Sequence, residues 1–226
     1  MTSGPSFAIV GAGGLGGPVA YALGAAGAGR LLLCDHDRVE LSNLQRQVQF
    51  TTADVGRLKV EALADELVRR GVPAARIEPV AARFSRESAG DLLAGIDVAV
   101  EGSDDPATKF ALNDEAVARG LRLAIGGVER YRGHVLAAWP GQSGCYRCLF
   151  EDPPGEEDEA PSCADAGVLG AVVAVIGGLL ARAALALAAG DRDAAGMIWV
   201  LDHAGARSGA RQVRYNPRPG CRACQA

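Results

Sequence analysis

The sequence contains little of several features that mark other classes of protein. Aromatic residues make up 5% of the chain although 49% is hydrophobic, so the core has to be built mainly from Ala, Val, Leu and Gly. The formal net charge of −4 argues against general nucleic-acid binding, which needs a basic surface to displace counterions. The opening residues, MTSGPSFAIVGAG, contain neither a charged n-region nor a signal-type apolar core, and we therefore expect a cytoplasmic protein.

Chain length sets the expected number of domains. The 226 residues suffice for one well-packed α/β domain with a small appendage. We predict a single domain, residues 1–226, with a first half at residues 1–140 and a second half at residues 141–226. The acidic, Pro-containing stretch FEDPPGEEDEAPSCADAG is unable to fold alone, and we predict a mobile loop at residues 151–166.

One apolar segment is long enough to form a transmembrane helix. Residues 166–190 are almost entirely apolar and consist mostly of Ala and Gly. Arg182 lies past the middle of the segment, where a charged side chain in a bilayer is costly. We therefore predict a buried helix whose small residues let other elements pack closely, and no membrane span.

Strands and helices alternate along the first half of the chain. Short apolar runs predict strands at residues 6–13, 29–35, 75–84, 96–103 and 121–129. Helical patterns lie between them, at residues 14–27, 53–70, 86–94 and 106–119. Pro79 favours an edge or irregular position for the third strand. Further strands are predicted at residues 133–139, 196–203 and 210–216. The fold class is α/β, a Rossmann-like, mostly parallel open sheet with an antiparallel C-terminal extension.

The stretch GAGGLG, from Gly11 to Gly16, follows the first predicted strand and opens a helix. It matches G-x-G-x-x-G, and Asp35 ends the next strand. Gly11 permits the tight turn, Gly13 and Gly14 let a phosphate approach the backbone, and the helix N-terminus supplies N–H donors and positive potential. Asp35 is placed to accept hydrogen bonds from ribose hydroxyls. The pattern predicts a nucleotide site without specifying the nucleotide.

An amide and guanidinium cluster follows in CDHDRVELSNLQRQ, and a plain dinucleotide site does not need it. Arg46 can pair bidentately with a phosphate, and Asn43 and Gln45 can hydrogen-bond a phosphate or a developing leaving group. Lys59 on the next predicted helix adds a point charge. These side chains favour a ligand with more phosphate charge than a nicotinamide dinucleotide carries.

Two carboxylates follow the fourth predicted strand, in EGSDDPATK. Asp104 and Asp105 lie at a carboxyl end of the sheet, where ligands bind in such folds. A carboxylate beside phosphates usually indicates a magnesium site. Together with the glycine-rich turn, Arg46 and Lys59, this arrangement favours a nucleoside triphosphate.

The six cysteines indicate metal binding or chemistry more than disulfides. Cys145 and Cys148 form one C-x-x-C pair, and Cys221 and Cys224 form a second. Two such pairs predict one tetrahedral Zn²⁺ site, and four thiolates would close its coordination sphere, so the metal would be structural. A redox role for either pair is the alternative.

The other two cysteines lie outside these pairs. Cys34 falls inside the second predicted strand and is expected to be a small core residue. Cys163 falls in the acidic stretch before the long apolar helix, where it is either an exposed loop cysteine or a catalytic one.

The chain resembles the ThiF/MoeB/HesA family of adenylyltransferases, the bacterial relatives of ubiquitin-activating enzymes. The resemblance covers nearly the whole chain and lies in GAGGLGGP, LCDHDRVELSNLQRQVQF, GRLKVEAL, GCYRCLF, ADAGVLG and CRAC. It implies an enzyme that uses Mg·ATP to adenylate the C-terminal glycine carboxylate of a ubiquitin-like, β-grasp sulfur-carrier protein ending in Gly-Gly, with release of pyrophosphate. It also implies a homodimer and a sulfurtransferase donor. Under this resemblance, residues 1–140 would be the nucleotide-binding half and residues 141–226 the zinc-stapled, carrier-binding half.

The resemblance further implies roles for individual residues. Gly14 and Asp35 would hold the adenosine part of ATP, Asp104 would serve Mg²⁺, and the four paired cysteines would bind zinc. The phosphates would be held by Asn43, Gln45, Arg46 and Lys59. Cys163 matches a loop cysteine that takes part in sulfur transfer in some members, through a covalent link to the carrier. The expected catalytic residues are Arg46, Lys59, Asp104 and Cys163.

Two features depart from the pattern of the family. Members usually carry a helical extension before the first strand, with an arginine that reaches the nucleotide of the partner protomer, and here MTSGPS precedes that strand. Members commonly show Cys-Thr-Asp-Asn after the fourth strand, where this chain has Gly102, Ser103, Asp104 and Asp105. Two alternatives stay open: an NAD-dependent oxidoreductase with the same glycine fingerprint, and a non-catalytic carrier-binding module with a degenerate ATP site.

Overall fold

The structure, a computed structural model, describes residues 4–153, 167–203 and 209–224. The strands are β1 (Ser6–Val10), β2 (Arg30–Cys34), β3 (Ile77–Val80), β4 (Val98–Glu101), β5 (Arg122–Glu129), β6 (Arg132–Ala138), β7 (Met197–Asp202) and β8 (Gly209–Arg214). The helices are α1 (Gly16–Ala25), α2 (Lys59–Arg69), α3 (Ala89–Leu92), α4 (Pro106–Ala118), α5 (Tyr146–Phe150) and α6 (Gly170–Ala188). Within the described ranges, the strands form one sheet in the order β3-β2-β1-β4-β5-β6-β7-β8.

The first five strands form the parallel part of the sheet. β1 pairs with β2 and β4, β2 pairs with β3, and β4 pairs with β5, all in parallel. β4 is buried at every position, as expected for a strand with both faces covered. The chain reverses its direction of winding between β1 and β4, and open α/β sheets bind ligands at such a switch point. The predicted α/β sheet is confirmed.

The antiparallel extension is formed by the last strands. β6 pairs with β5 and β7, and β7 pairs with β8, in each case antiparallel. The predicted antiparallel extension, including its closing pair, is therefore confirmed. β6 lies before residue 140 and β7 after it, so one sheet crosses the predicted division between the two halves. That division stays a prediction about function.

Several elements are shorter than predicted. The helix expected at residues 53–70 begins only at Lys59, because Gly56 has a φ of +89° and interrupts it. Before this interruption, Thr52–Asp54 form a separate 3₁₀ turn closed by a capping box. The helix expected at residues 86–94 is reduced to α3. β3 lies at the sheet edge, as Pro79 predicted.

α6 accounts for the long apolar segment. By length and composition it could cross a membrane, but half of its most apolar window is buried inside the fold. Ile176 and Leu180 face the core shared with α1, β5 and β6. A Cβ on Gly177 would lie 3.1 Å from the Pro18 Cβ, so a glycine lets α6 approach α1 closely. Arg182 is exposed, with its guanidinium 5.7 Å from the Trp199 ring centroid. The segment packs as a core helix.

Candidate functional site

A cavity of about 650 Å³ opens at the switch point between β1 and β4 and continues over β5, β6 and β7. Its volume is in the range of small-molecule sites. We call the part near β1, β2 and β4 the polar end, which is lined by Gly11, Gly13, Gly14, Asp35, Asn43, Arg46, Lys59 and Asp104. We call the part over β5–β7 the apolar end, which is lined by Gly127, Gly133, His134, Phe150, Ile198 and Val200; the charged Glu129 and Arg132 of β5 and β6 also line the cavity.

The glycine loop after β1 has a backbone that only glycine can adopt at key positions. Gly11 has a φ of +91°, and a Cβ there would lie 2.7 Å from the Ser103 nitrogen. Gly13 and Gly14, which are predicted to let a phosphate approach, line the polar end. A Cβ on Gly16 would lie 1.7 Å from the Gly11 carbonyl oxygen. Gly16 therefore allows α1 to start directly behind the loop and does not line the cavity.

Two side chains hold the glycine loop in place. The Asp35 carboxylate accepts hydrogen bonds from the backbone N–H of Ala12 at 2.7 Å and of Asp37 at 2.8 Å. The buried Gln49 side chain donates to the carbonyl oxygens of Ala12 at 3.0 Å and Gly13 at 2.9 Å. In this structure Asp35, which the sequence predicts to be a ribose acceptor, fixes the loop. Sequence reasoning missed Gln49.

Two cations face the polar end. Lys59 is buried at the start of α2, and its Nζ donates to Asp37 Oδ2 at 2.7 Å. Burial acts to raise the pKa of Asp37, but the hydrogen bond and charge of Lys59 outweigh it and lower that pKa. Arg46 is half-buried and donates to the Ser42 carbonyl oxygen at 3.3 Å. Within the described residues each cation has one such acceptor, so each retains N–H donors for an anion.

The structure separates the members of the predicted amide cluster. Asn43 lines the polar end, whereas Gln45 is exposed and is not part of the cavity wall. Gln47 lines the wall instead, is buried, and its Oε1 has no partner among the described residues. The backbone N–H groups of Arg46 and Gln47 both donate to the Asn43 carbonyl oxygen, so this segment turns helically. Helical spacing places Arg46 and Gln47, three and four positions after Asn43, on the same face as Asn43. Gln45, two positions after it, points away from that face.

Asp104 and Asp105 differ in their surroundings. Asp104 is exposed at the polar end. Asp105 is the N-cap of α4 and accepts hydrogen bonds from Ala107 N at 3.0 Å, Thr108 Oγ1 at 2.8 Å and Arg83 Nη2 at 2.8 Å. Burial acts to raise the pKa of Asp105, but these partners lower it. Asn and Asp are both preferred N-caps, so the acidic substitution keeps the cap.

A buried charged pair beside this turn was missed from the sequence. Glu101, the last residue of β4, is fully buried, and Lys109 of α4 donates to its Oε2. Lys109 also donates to the carbonyl oxygens of Ser103 and Gly126, both at 2.7 Å. Burial raises the pKa of Glu101, against the opposing effect of Lys109. The available signal was a glutamate at the end of an otherwise apolar strand, which needs a partner when buried.

His134 lies at the apolar end, opposite Gly127 in the β5–β6 pair. A Cβ on Gly127 would lie 2.4 Å from the imidazole Cε1, so only glycine leaves room for the ring. The ring centroid is 5.4 Å from that of Phe150, and Nε2 has no partner among the described residues. Burial, helped by the charge of Lys109, lowers the pKa of His134 to about 4. The imidazole is therefore neutral near pH 7.

The four paired cysteines converge in one cluster. The Sγ–Sγ distances are 3.9 Å for Cys145 and Cys148, 3.7 Å for Cys145 and Cys221, and 3.5 Å for Cys148 and Cys224. Four thiolates around a tetrahedral Zn²⁺ lie about 3.8 Å apart, given a Zn–S bond of about 2.3 Å. The backbone N–H of Arg218 also donates to Cys148 Sγ at 3.3 Å. The cluster could hold a zinc ion.

The remaining cysteines differ in what the structure says of them. Cys34 is buried in β2, burial raises its pKa to about 12, and its thiol contacts the Ala82 carbonyl oxygen at 3.2 Å. It is a core residue, as predicted. Cys163 lies outside the described residues, as do residues 154–166 of the predicted mobile loop. Their roles stay predictions from the sequence.

Comparisons with known proteins agree with these observations. The sequence profile of the ThiF family matches residues 3–223. A sulfur carrier protein adenylyltransferase of Thermus thermophilus is 40% identical over 225 residues, covering 97% of this chain and 82% of the relative. The sulfur carrier protein ThiS adenylyltransferase of Escherichia coli is 36% identical over 217 residues, covering 96% and 84%. The crystal structure of E. coli MccB with ATP shares the fold, with a TM-score of 0.82 at 21% identity, over 99% of this chain and 67% of that chain.

Proposed function

The chain belongs to the ThiF family, and we propose that it is an adenylyltransferase that uses ATP to activate the C-terminal glycine carboxylate of a ubiquitin-like sulfur-carrier protein ending in Gly-Gly. A carboxylate oxygen attacks the α-phosphorus, the bond from that phosphorus to the bridging oxygen breaks, and pyrophosphate leaves. One observation carries the proposal: a single cavity joins a glycine loop and two cations, Arg46 and Lys59, to an apolar end that extends away from them.

The residues of the polar end would bind ATP. Backbone N–H groups at Gly13 and Gly14, with the N-terminus of α1, suit phosphate oxygens. Asp35 would accept hydrogen bonds from the ribose hydroxyls. Arg46 and Lys59 would stabilise the charge that develops on the leaving pyrophosphate, and such preorganised electrostatics needs no protein nucleophile.

Amide groups would complete the phosphate contacts. Asn43 lines the polar end and can donate to a phosphate oxygen. Gln45, assigned to the same role from the sequence, is exposed. We therefore transfer its proposed role to Gln47, whose buried side chain lines the wall.

Asp104 is the residue that we assign to Mg²⁺. Its carboxylate is exposed at the polar end, and carboxylates are preferred ligands of this ion. Bound Mg²⁺ would neutralise phosphate charge and orient the leaving group. Asp105 is less suited to this role because it already caps α4 and its Oδ2 accepts hydrogen bonds from both Thr108 and the Arg83 guanidinium.

The cysteine cluster is assigned to a structural Zn²⁺. Four thiolates would fill the tetrahedral sphere and leave no position for a substrate. The ion would join α5, which carries Cys148, to the tail that carries Cys224. Convergence of all four sulfur atoms favours one metal site over two separate redox pairs.

Cys163, a sulfurtransferase donor and a homodimer complete the proposal. After adenylation, the Cys163 thiolate would attack the acyl carbon of the carrier adenylate, and the C–O bond to AMP would break to leave a thioester-linked carrier and free AMP. Replacement of Cys163 by Ala should keep pyrophosphate exchange and abolish a carrier adduct detected by mass spectrometry under non-reducing conditions. Cys34→Ala is the matched control, and an adduct that persists in Cys163→Ala would refute the role. We expect this enzyme to act in the cytoplasm.

The decisive experiment is ATP–pyrophosphate exchange in the presence of Mg²⁺, with and without candidate carriers ending in Gly-Gly. Exchange should depend on the carrier, and a carrier that lacks its last glycine is the matched control. ATP binding without exchange for any carrier would contradict the enzyme and favour a binding module. Tight binding of NAD in place of ATP would instead favour an oxidoreductase.

A further inference from the structure

We infer that Lys109 and Glu101 are positioning residues that fix Asp104, the carboxylate assigned to Mg²⁺, and that Lys109 does not bind ATP although it lines the cavity. The inference rests on the proposed nucleotide site and goes beyond it, because it separates the roles of two buried lysines in one cavity wall. Lys59 would bind phosphate, whereas Lys109 would bind only protein groups and fix the turn that carries Asp104.

The hydrogen-bond donors of Lys109 are fully used by the protein. A lysine ammonium group has three N–H donors. Lys109 directs them to Glu101 Oε2 and to the carbonyl oxygens of Ser103 and Gly126, the latter two at 2.7 Å. No donor is left for a phosphate oxygen. Lys59, in contrast, donates to Asp37 Oδ2 as its one acceptor within the described residues.

Glu101 and Lys109 both hydrogen-bond Ser103, the residue that precedes Asp104. Glu101 Oε1 accepts hydrogen bonds from the Ser103 backbone N–H at 2.9 Å and from the Ser103 hydroxyl, while Lys109 holds the Ser103 carbonyl oxygen. Both backbone polar groups of Ser103 are therefore fixed by the pair. The bond from Lys109 to Gly126 ties this arrangement to β5.

The fixed turn touches the glycine loop. A Cβ on Gly11 would lie 2.7 Å from Ser103 N and 2.9 Å from Ser103 Cα, so the two backbones are in direct contact. A shift of Ser103 would consequently change the distance from Asp104 to phosphates held on the loop. A misplacement of about 1 Å near reacting groups can cost about 10²-fold in rate.

The pair adds no net charge to the cavity, although the charge of Lys109 alone acts on His134 at the apolar end. Glu101 is 0% exposed and Lys109 is 7% exposed, so the two opposite charges are buried together. Their net charge is zero whether the proton resides on the lysine or on the glutamate. Loss of both charges should therefore act on the site through geometry and leave its net charge unchanged.

The test measures ATP affinity by calorimetry, first in EDTA and then in Mg²⁺, for wild type, Lys109→Met and the double variant Lys109→Met/Glu101→Gln. The double variant removes the unpaired buried carboxylate that would otherwise destabilise the single variant. For Lys109→Met and the double variant we expect ATP affinity in EDTA within about threefold of wild type, and loss of most of the gain that Mg²⁺ confers. Asp104→Ala should lose the same gain, whereas Lys59→Met should weaken ATP binding already in EDTA.

A matched control separates positioning from general stability. Asp54 is also buried and ion-paired, with Arg57, and it does not line the cavity. Asp54→Asn should lower stability in urea and keep the full gain from Mg²⁺. Urea unfolding of all variants verifies that each one is folded under the binding conditions.

The outcomes are distinct. A full gain in ATP affinity from Mg²⁺ in the double variant would overturn the positioning role. A reduction of ATP affinity in EDTA by about tenfold or more in Lys109→Met would overturn the inference that Lys109 does not bind ATP. Where pyrophosphate exchange is available, kcat should fall about 10²-fold in the double variant. Absence of exchange in wild type would contradict the proposed function alone, because the binding arms test the positioning role without turnover.

Discussion

Acidification should destabilise this protein through His134. Burial and the charge of Lys109 lower the pKa of His134 from 6.5 to about 4 in the folded state. Between these two values the unfolded chain binds a proton that the folded chain does not. The contribution of the neutral His134 to the free energy of unfolding is therefore fully present above pH 6.5. It declines as the pH falls through this window and is lost below about pH 4.

The expected magnitude follows from the size of the shift. One pKa unit corresponds to 1.36 kcal/mol, so the full effect is about 3 kcal/mol, and between pH 7 and 4.5 it amounts to about 2 kcal/mol. Burial raises the pKa of Glu101, so the protonation of this group also contributes to the pH dependence of stability. A difference between wild type and His134→Gln cancels this contribution because both proteins contain Glu101.

The assay is urea unfolding of wild type and His134→Gln at pH 7 and 4.5. The free energy of unfolding should fall by about 2 kcal/mol more in wild type than in the variant. His203→Gln, at an exposed histidine, is the matched control and should retain the wild-type pH dependence. Equal pH dependence in wild type and His134→Gln would refute the lowered pKa.

Three further substitutions test other parts of the structure. Arg46→Ala should reduce carrier-dependent pyrophosphate exchange by about 10²-fold or more with an unchanged circular dichroism spectrum, and normal exchange would refute its role. Cys221→Ser should lower both zinc content and stability, and a full zinc complement by metal analysis would contradict a shared site. Asp105→Ala should lower the free energy of unfolding by about 1 kcal/mol, whereas Asp105→Asn should keep the cap, and equal losses in urea would contradict the capping role.

The predicted sheet was confirmed where local sequence alone determines structure. Continuous apolar runs identify β1 and β4, and the glycine turn after β1 requires the positive φ observed at Gly11. Pro79 removes a ladder donor, which suits the edge position of β3. The spacing of each C-x-x-C pair brings its own two thiols together, and the four ligands of a tetrahedral Zn²⁺ site predicted that the two pairs meet, as the cluster shows.

The site predictions were weaker where a side-chain direction depends on local turning. Asn43, Gln45 and Arg46 were grouped by proximity in the sequence, but helical turning places Gln45 outside and Gln47 inside. The Glu101–Lys109 pair was missed for a different reason. These residues belong to β4 and α4, and they meet only when the helix packs back on the sheet.

Helix α4 contacts both the turn of Asp104 at the polar end of the cavity and helix α5, which carries Phe150 of the apolar end. Its first turn is capped beside Asp104, and farther along, its Asn113 side chain accepts a hydrogen bond from the Tyr146 N–H at 2.8 Å. Arg147, within the first C-x-x-C pair, forms a bidentate ion pair with Asp114 on the same helix, at 2.6 and 2.9 Å.

These contacts fix α5, which carries Cys148, against α4. The Tyr146 ring stacks on Phe150 at 4.6 Å between centroids, and Phe150 in turn stacks on His134 at the apolar end. A structural zinc ion would therefore stabilise the wall of the apolar end, through α5, and would take no part in the chemistry at the polar end. The same helix α4 holds the turn of Asp104 through Lys109, so one rigid element sets the positions of both walls.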